Sequence, residues 1–216
     1  VADNGTLTMS ESDFTNCVID ANPYLSVNGC DFFNCTIRSN RNTSEALIYS
    51  SSLFDCTISG NSSALSTIQN STVWRSTVAG NWGDEAGAGL ESSFYDCTIS
   101  SNRSPQRAAV GRSYYNPQTS IVISGCLIEG NLQVGDGAIA CIAENAELAD
   151  CRILNNISEG GSTLYYCNVQ RCLIAGNRAL RCGGAYGGLL SACTVVYNTA
   201  SNGVGGAEAC SAFHSI

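Results

Sequence analysis

The sequence predicts an all-β right-handed parallel β-helix, a solenoid of about nine to ten rungs of roughly 21 residues. Three observations carry that prediction. Nine segments repeat the order Cys (Ser in one of them), then a β-branched residue two positions on, then Asn five positions on, with successive spacings of 18, 21, 20, 21, 29, 25, 21 and 21 residues. Asn follows in all nine although only 20 of 216 residues are Asn, so composition does not produce the match. A third column, three residues before the Cys position, is apolar in every repeat.

In chain order the Cys position is Cys17, Cys35, Cys56, Ser76, Cys97, Cys126, Cys151, Cys172 and Cys193. The β-branched position is Ile19, Ile37, Ile58, Val78, Ile99, Ile128, Ile153, Ile174 and Val195. The Asn position is Asn22, Asn40, Asn61, Asn81, Asn102, Asn131, Asn156, Asn177 and Asn198. The preceding apolar column is Phe14, Phe32, Leu53, Val73, Phe94, Ile123, Leu148, Val169 and Leu190. Residues two apart share a strand face, so Cys and the β-branched residue point inward and the intervening residue, often Thr, points out. A small residue such as Gly60, Gly80, Gly130 or Gly176 precedes the Asn. That pair reads as a tight turn, with Asn tolerating left-handed backbone and bonding locally. The repeat is too short for a propeller blade and lacks the 3.6 period of helical repeats. A coil of three short strands per turn suits its length.

Stacking rungs about 4.8 Å apart places like on like and makes a rod roughly 45 Å long. The thiols form one inward column, with Ser76 as a near-isostere. The Ile and Val side chains fill the core, and the Asn amides are placed to bond from rung to rung as a ladder. The phrase Cys-Thr-Ile-x-Gly-Asn resembles the repeats of bacterial surface β-helix proteins, among them polymorphic outer-membrane proteins and autotransporter passengers. The shape is also similar to that of the pectate-lyase-like superfamily. The resemblance covers residues 14–198 and implies the fold; that architecture carries both enzymes and inert stalks, so it implies little about activity.

The whole chain, 1–216, reads as one β-helix domain. Its 44% hydrophobic residues can bury a sizeable core. The net charge is −8 and all ten basic residues are Arg, a balance that argues against nucleic acid or an anionic membrane as partner. No apolar run approaches the ~20 residues of a membrane span. The opening Val1-Ala2-Asp3-Asn4-Gly5 reads as a mature start or a cut boundary.

Five cysteines lie outside the column: Cys30, Cys141, Cys167, Cys182 and Cys210. Cys30 and Cys167 share a small inward position with Ser51, Ser71 and Ser92. Column cysteines one rung apart are too distant for disulfides, whose Cβ atoms sit about 3.8 Å apart, so most read as buried free thiols. A bridge is expected, if anywhere, among Cys167, Cys182 and Cys210. No metal is expected, since there is no C-x-x-C pair and His214 is the one histidine. No cofactor is expected.

Irregular rungs are where a solenoid places a site. The 29-residue spacing gathers Arg103, Arg107, Arg112, Tyr114 and Tyr115 above Trp82, Asp84 and Glu85 and below Asp136. The bland reading is a solvated loop in which Asp84 and Glu85 pair with Arg103 or Arg107. The sharper one is a patch for sugar or an anionic polymer. No catalytic set is assigned: a lyase needs a base beside a carboxylate cluster, a hydrolase needs paired carboxylates, and the outward Asp55, Asp96 and Asp150 stand on separate rungs. Glycosylation triplets at Asn4, Asn34, Asn42, Asn61, Asn70, Asn102 and Asn156 include three ladder positions and follow from the repeat.

The functional expectation is an extracellular or cell-surface structural solenoid, a fibre subunit stacking end to end or a stalk or adhesin segment. Neither end carries a capping helix or an edge Lys, so the expectation is either a fragment cut from a longer solenoid or self-association through the solenoid ends. A glycan or host-surface ligand is a further expected partner. The alternative is a carbohydrate-binding protein, polysaccharide lyase or hydrolase acting through 82–85 and 103–117.

Overall fold

A computed structural model describes residues 6–112, 120–136 and 141–216. Among the described residues there is no helix, and every strand pairing is parallel, rung to rung. The chain is a parallel β-solenoid of about nine turns, each about 21 residues long. Four sheets form its faces. The first runs from Thr6–Ser10 and Tyr24–Asn28 up to Ala207–Glu208, ten strands in all. The second runs from Asp13–Thr15 to Ser211–Phe213 with ten strands, and the third from Val18–Asp20 to Thr194–Val196 with nine. The fourth has eight two-residue strands, Arg41–Asn42 to Thr199–Ala200.

Four strands per turn replace the three that the repeat length suggested. The reason is a shorter period inside the rung. Inward side chains come in pairs two residues apart, and the pairs recur every five residues: Cys30 and Phe32, Cys35 and Ile37, then Asn40 and Asn42 are all buried. Each pair is one short strand, and the chain turns before the next.

Those corners are made by left-handed backbone. The residue before every Cys position has φ between 45° and 65°, including Asn34, Asp55, Arg75, Asp96 and Arg171. The residue before every ladder Asn has φ between 52° and 67°. The sequence reading gave this conformation to the Asn itself; the structure gives it to the preceding residue. The Asn cannot serve as the corner, because its amide must face inward to reach the next rung. Glycine suits the corner at Gly60 and Gly80, but Ser39, Ser101 and Tyr197 adopt it as well. A non-glycine residue there costs about 1–2 kcal/mol, which the stacked contacts on both sides offset.

The core is a set of vertical columns. Ile37, Ile58, Val78 and Ile99 are fully buried one above another, in register through Thr57↔Thr77 and Thr77↔Thr98. Phe14 stacks on Phe32 with ring centroids 5.1 Å apart. The first face is the irregular one: its ladder slips register between Ser66 and Ile68, between Arg107 and Val110, and between Ser162 and Leu164. That irregularity makes it the side on which a site could be built.

Candidate functional site

Two columns of chemistry run the length of the third face. In the first, the amide of each ladder Asn is fully committed. Nδ2 of Asn61 donates to Oδ1 of Asn81 at 3.0 Å and to the Ile37 carbonyl at 2.9 Å, while the Asn61 N–H donates to the same Oδ1 at 2.9 Å. The pattern links Asn22, Asn40, Asn61, Asn81, Asn102, Asn131, Asn156, Asn177 and Asn198, with side-chain links of 2.7–3.2 Å. Seven of these residues, Asn40 to Asn177, are 0–1% exposed, where an unpaired amide would be costly. The Asn-to-Asn links all run one way: each Oδ1 accepts from the earlier rung's Asn, while Nδ2 donates both to the later rung's Oδ1 and to a carbonyl of the earlier rung.

The second column holds the thiols. Each occupies the corner just before a third-face strand. The N–H of Cys17 reaches Sγ of Cys35 at 3.4 Å, that of Cys97 reaches Cys126 at 3.3 Å and that of Cys151 reaches Cys172 at 3.3 Å. Ser76 continues the line, accepting the Cys56 N–H at 2.9 Å. Sγ of each buried column cysteine also donates to the carbonyl two residues before it, as Cys56 does to Phe54 at 3.1 Å.

All thirteen cysteines are free. The bridge expected among Cys167, Cys182 and Cys210 is not formed. Cys182 sits within the first face, in register with Ser162, whereas Cys167 and Cys210 occupy the corner leading to the second face. Burial pushes the Cys167 thiol up to about 12 and the Cys182 thiol up to about 11. Among the described residues no three His, Cys, Asp or Glu side chains converge as a metal site.

The proposed patch divides into two parts. Trp82 and Arg103 are register partners on the fourth face, and the guanidinium lies 5.9 Å from the indole centroid, within reach of a cation–π contact. Asp84 accepts the indole N–H at 2.9 Å. Trp82 and Asp84, with Arg41 and Ser62, line a shallow depression of about 190 Å³. Arg107 does not join this surface. It is 1% exposed, pairs with the 6%-exposed carboxylate of Glu144, and lies 3.9 Å from Glu85. Its Nη1 also donates to Oε1 of Gln106 at 3.1 Å. Glu144, which the sequence reading did not single out, is the partner that allows an arginine inside the first face. Arg112 is half-buried and Asp136 is exposed. Tyr114 and Tyr115 lie outside the described residues.

A feature missed from the sequence stands on the second face. Phe33, Phe54, Trp74 and Tyr95 stack outward over four rungs, with centroids 5.0, 4.4 and 5.8 Å apart. The signal was available, since all four stand two residues before the Cys position. Stacking occupies the ring faces and leaves their edges to solvent. At the adjacent corner Arg75 binds Asp55 in a bidentate pair at 2.8 Å, and Arg171 does the same with Asp150 at 2.6–2.7 Å. The guanidinium of Arg75 holds the Asp55 carboxyl below its ordinary value, and Arg171 does so for Asp150.

No family model matches the chain, and no curated protein sequence matches it. Solved structures with a similar path exist. A plasmid-mediated fluoroquinolone resistance protein shares 10% identity over 76% of this chain and 83% of its own, with a TM-score of 0.36. PfbA, a surface adhesin of Streptococcus pneumoniae, shares 7% over 96% of this chain and 71% of its own, with a TM-score of 0.33. HetL, a pentapeptide repeat protein from the cyanobacterium Nostoc, shares 10% over 97% and 84%, with a TM-score of 0.32. None of these likenesses bears on what this chain does. No helix among the described residues is long and apolar enough to cross a membrane.

Proposed function

We propose that this solenoid is itself the function: an extracellular or cell-surface rod, acting as a stalk, adhesin segment or fibre subunit. The observation that carries this reading is the unbroken amide ladder from Asn22 to Asn198, which spends one buried side chain per rung on linking rungs. Because each ladder Asn offers its N–H and Nδ2 to the Oδ1 of the next rung, further rungs continue the pattern equally well whether they belong to the same chain or to a second copy. Electron microscopy of purified protein over a concentration series tests the fibre form. Filaments whose axial repeat matches the rung spacing support it, and monodisperse particles at all concentrations remove it.

A second reading, glycan binding, is favoured by one observation. The Trp82 and Arg103 pair stands beside the Asp84 carboxylate at the fourth-face depression. A Trp82→Ala variant that binds a panel of uronic-acid polysaccharides as well as the parent does would remove it. Unsaturated products from that panel in the presence of Ca²⁺ would instead reveal a lyase.

A further inference from the structure

The thiol column offers something the rod itself does not require. Cys17, Cys35 and Cys56 occupy three consecutive rungs, and after the break at Ser76 five more follow: Cys97, Cys126, Cys151, Cys172 and Cys193. Column members from Cys35 onward are 1–3% exposed, in a core of Ile, Val and Phe. In-register neighbours are separated by one strand spacing, about 4.8 Å. That is far too long for the ~2.05 Å of an S–S bond. It is close to the separation that two thiolates adopt around one linearly bound cation. Metal–sulfur bonds of the length zinc makes to thiolate, about 2.3 Å, would put two sulfurs about 4.6 Å apart in a linear arrangement.

We infer that the column is a binding site for a soft monovalent cation, Cu(I) or its analogue Ag(I), held linearly between thiolates of adjacent rungs. Thiolate softness selects Cu(I) over harder ions. Two-coordination asks for no third ligand, so the absence of a three-ligand cluster among the described residues is no obstacle. Each site forms when two S–H bonds break and two S–Cu bonds form, with two protons released to solvent and no change of oxidation state. The resulting anion is not left bare. Sγ of Cys35, Cys56, Cys126 and Cys172 each accept a backbone N–H from the rung below at 3.3–3.5 Å, so these sulfurs already stand beside donors.

Pairing fixes the capacity. The three-thiol run holds one cation and the five-thiol run two, giving three per chain. The other five cysteines have no in-register cysteine neighbour: Cys141 and Cys182 each pair with Ser162, and the Cys30 N–H meets Ser51 Oγ. They contribute none.

The test is native mass spectrometry of the reduced, folded chain, incubated anaerobically with Cu(I) and then with a competing Cu(I) chelator that strips loosely held metal. The parent is expected to retain three cations. Ser76→Cys joins the two runs into nine thiols and is expected to retain four. That variant introduces the side chain already present on every other rung, so it keeps the fold. Cys126→Ser is expected to retain two, and the control Cys141→Ser three. X-ray absorption of the loaded parent is expected to show two sulfur neighbours per copper and no third. The inference is overturned if the parent retains no metal, if Ser76→Cys loads no more than the parent, or if Cys141→Ser lowers loading. The comparison of Ser76→Cys with Cys141→Ser decides the matter even if Cys126→Ser does not fold.

Discussion

Asn102→Ala isolates what the amide ladder contributes to the fold. Asn102 is 0% exposed. Its Oδ1 accepts the Asn81 N–H and the Asn81 Nδ2, both at 3.0 Å, and its Nδ2 donates to the Val78 carbonyl at 2.8 Å and to Asn131 Oδ1 at 3.1 Å. Truncation leaves two donors of Asn81 without partners in a dry interior and removes the amide bond to the Val78 carbonyl. At about 1–3 kcal/mol for each buried polar group left unsatisfied, the expected loss is about 2–6 kcal/mol. Asn70→Ala is the control. Asn70 is exposed and its amide donates only to Ser50 Oγ, at 3.2 Å, so a change within about 0.5 kcal/mol is expected. The assay is guanidinium unfolding followed by circular dichroism, comparing midpoints among variants whose transition slopes agree. The double variant Asn81→Ala with Asn102→Ala should cost less than the sum of the singles by about 1 kcal/mol or more, because the bonds between the two residues are otherwise counted twice. If Asn102→Ala behaves like Asn70→Ala, or if the two ladder changes simply add, the amides are not carrying rung-to-rung stability.

Three further outcomes are expected. Arg107→Ala strands the buried Glu144 carboxylate and should destabilise by about 3–5 kcal/mol, while Arg107→Met combined with Glu144→Met should recover most of that in the same unfolding assay. Gly188→Ala, with φ of +84° and an added Cβ that would meet the Cys167 carbonyl at 2.1 Å, should be poorly tolerated, whereas Gly206→Ala, which opens onto free space, should leave the melting temperature unchanged. Asp55 is held below the ordinary carboxylate value of 3.8 by Arg75, so its contribution is present above that pH and is lost as pH falls through the lowered value. An NMR titration should place its midpoint below 3.8, and Arg75→Gln should bring it back up.

The sequence by itself determined the repeat and much of what the repeat implies. Nine Asn at a fixed offset from nine Cys positions are enough to demand vertical registry. Registry then follows from the two-residue alternation of strands and the single spacing between them, both properties of the backbone. The outward aromatic stack was legible too, since Phe33, Phe54, Trp74 and Tyr95 share one column, although attention to inward columns alone passes over it. The number of faces was harder to read. The period of about 21 is the sum of five-residue steps and corner residues, and a corner depends on left-handed φ at residues as unlike as Gly60, Arg75 and Tyr197, which no propensity marks.

Only the tertiary structure decided the fate of the charged residues near 103–112. Arg103 and Arg107 are four positions apart and chemically alike, yet one lies over Trp82 at the surface and the other is buried against Glu144. Glu144 lies 37 residues further along the chain and one rung up, so no local pattern connects it to Arg107. The strands fix which backbone atoms meet. Where a register slip falls, as between Arg107 and Val110, it decides which side chain turns inward, and that slip is set by packing across rungs.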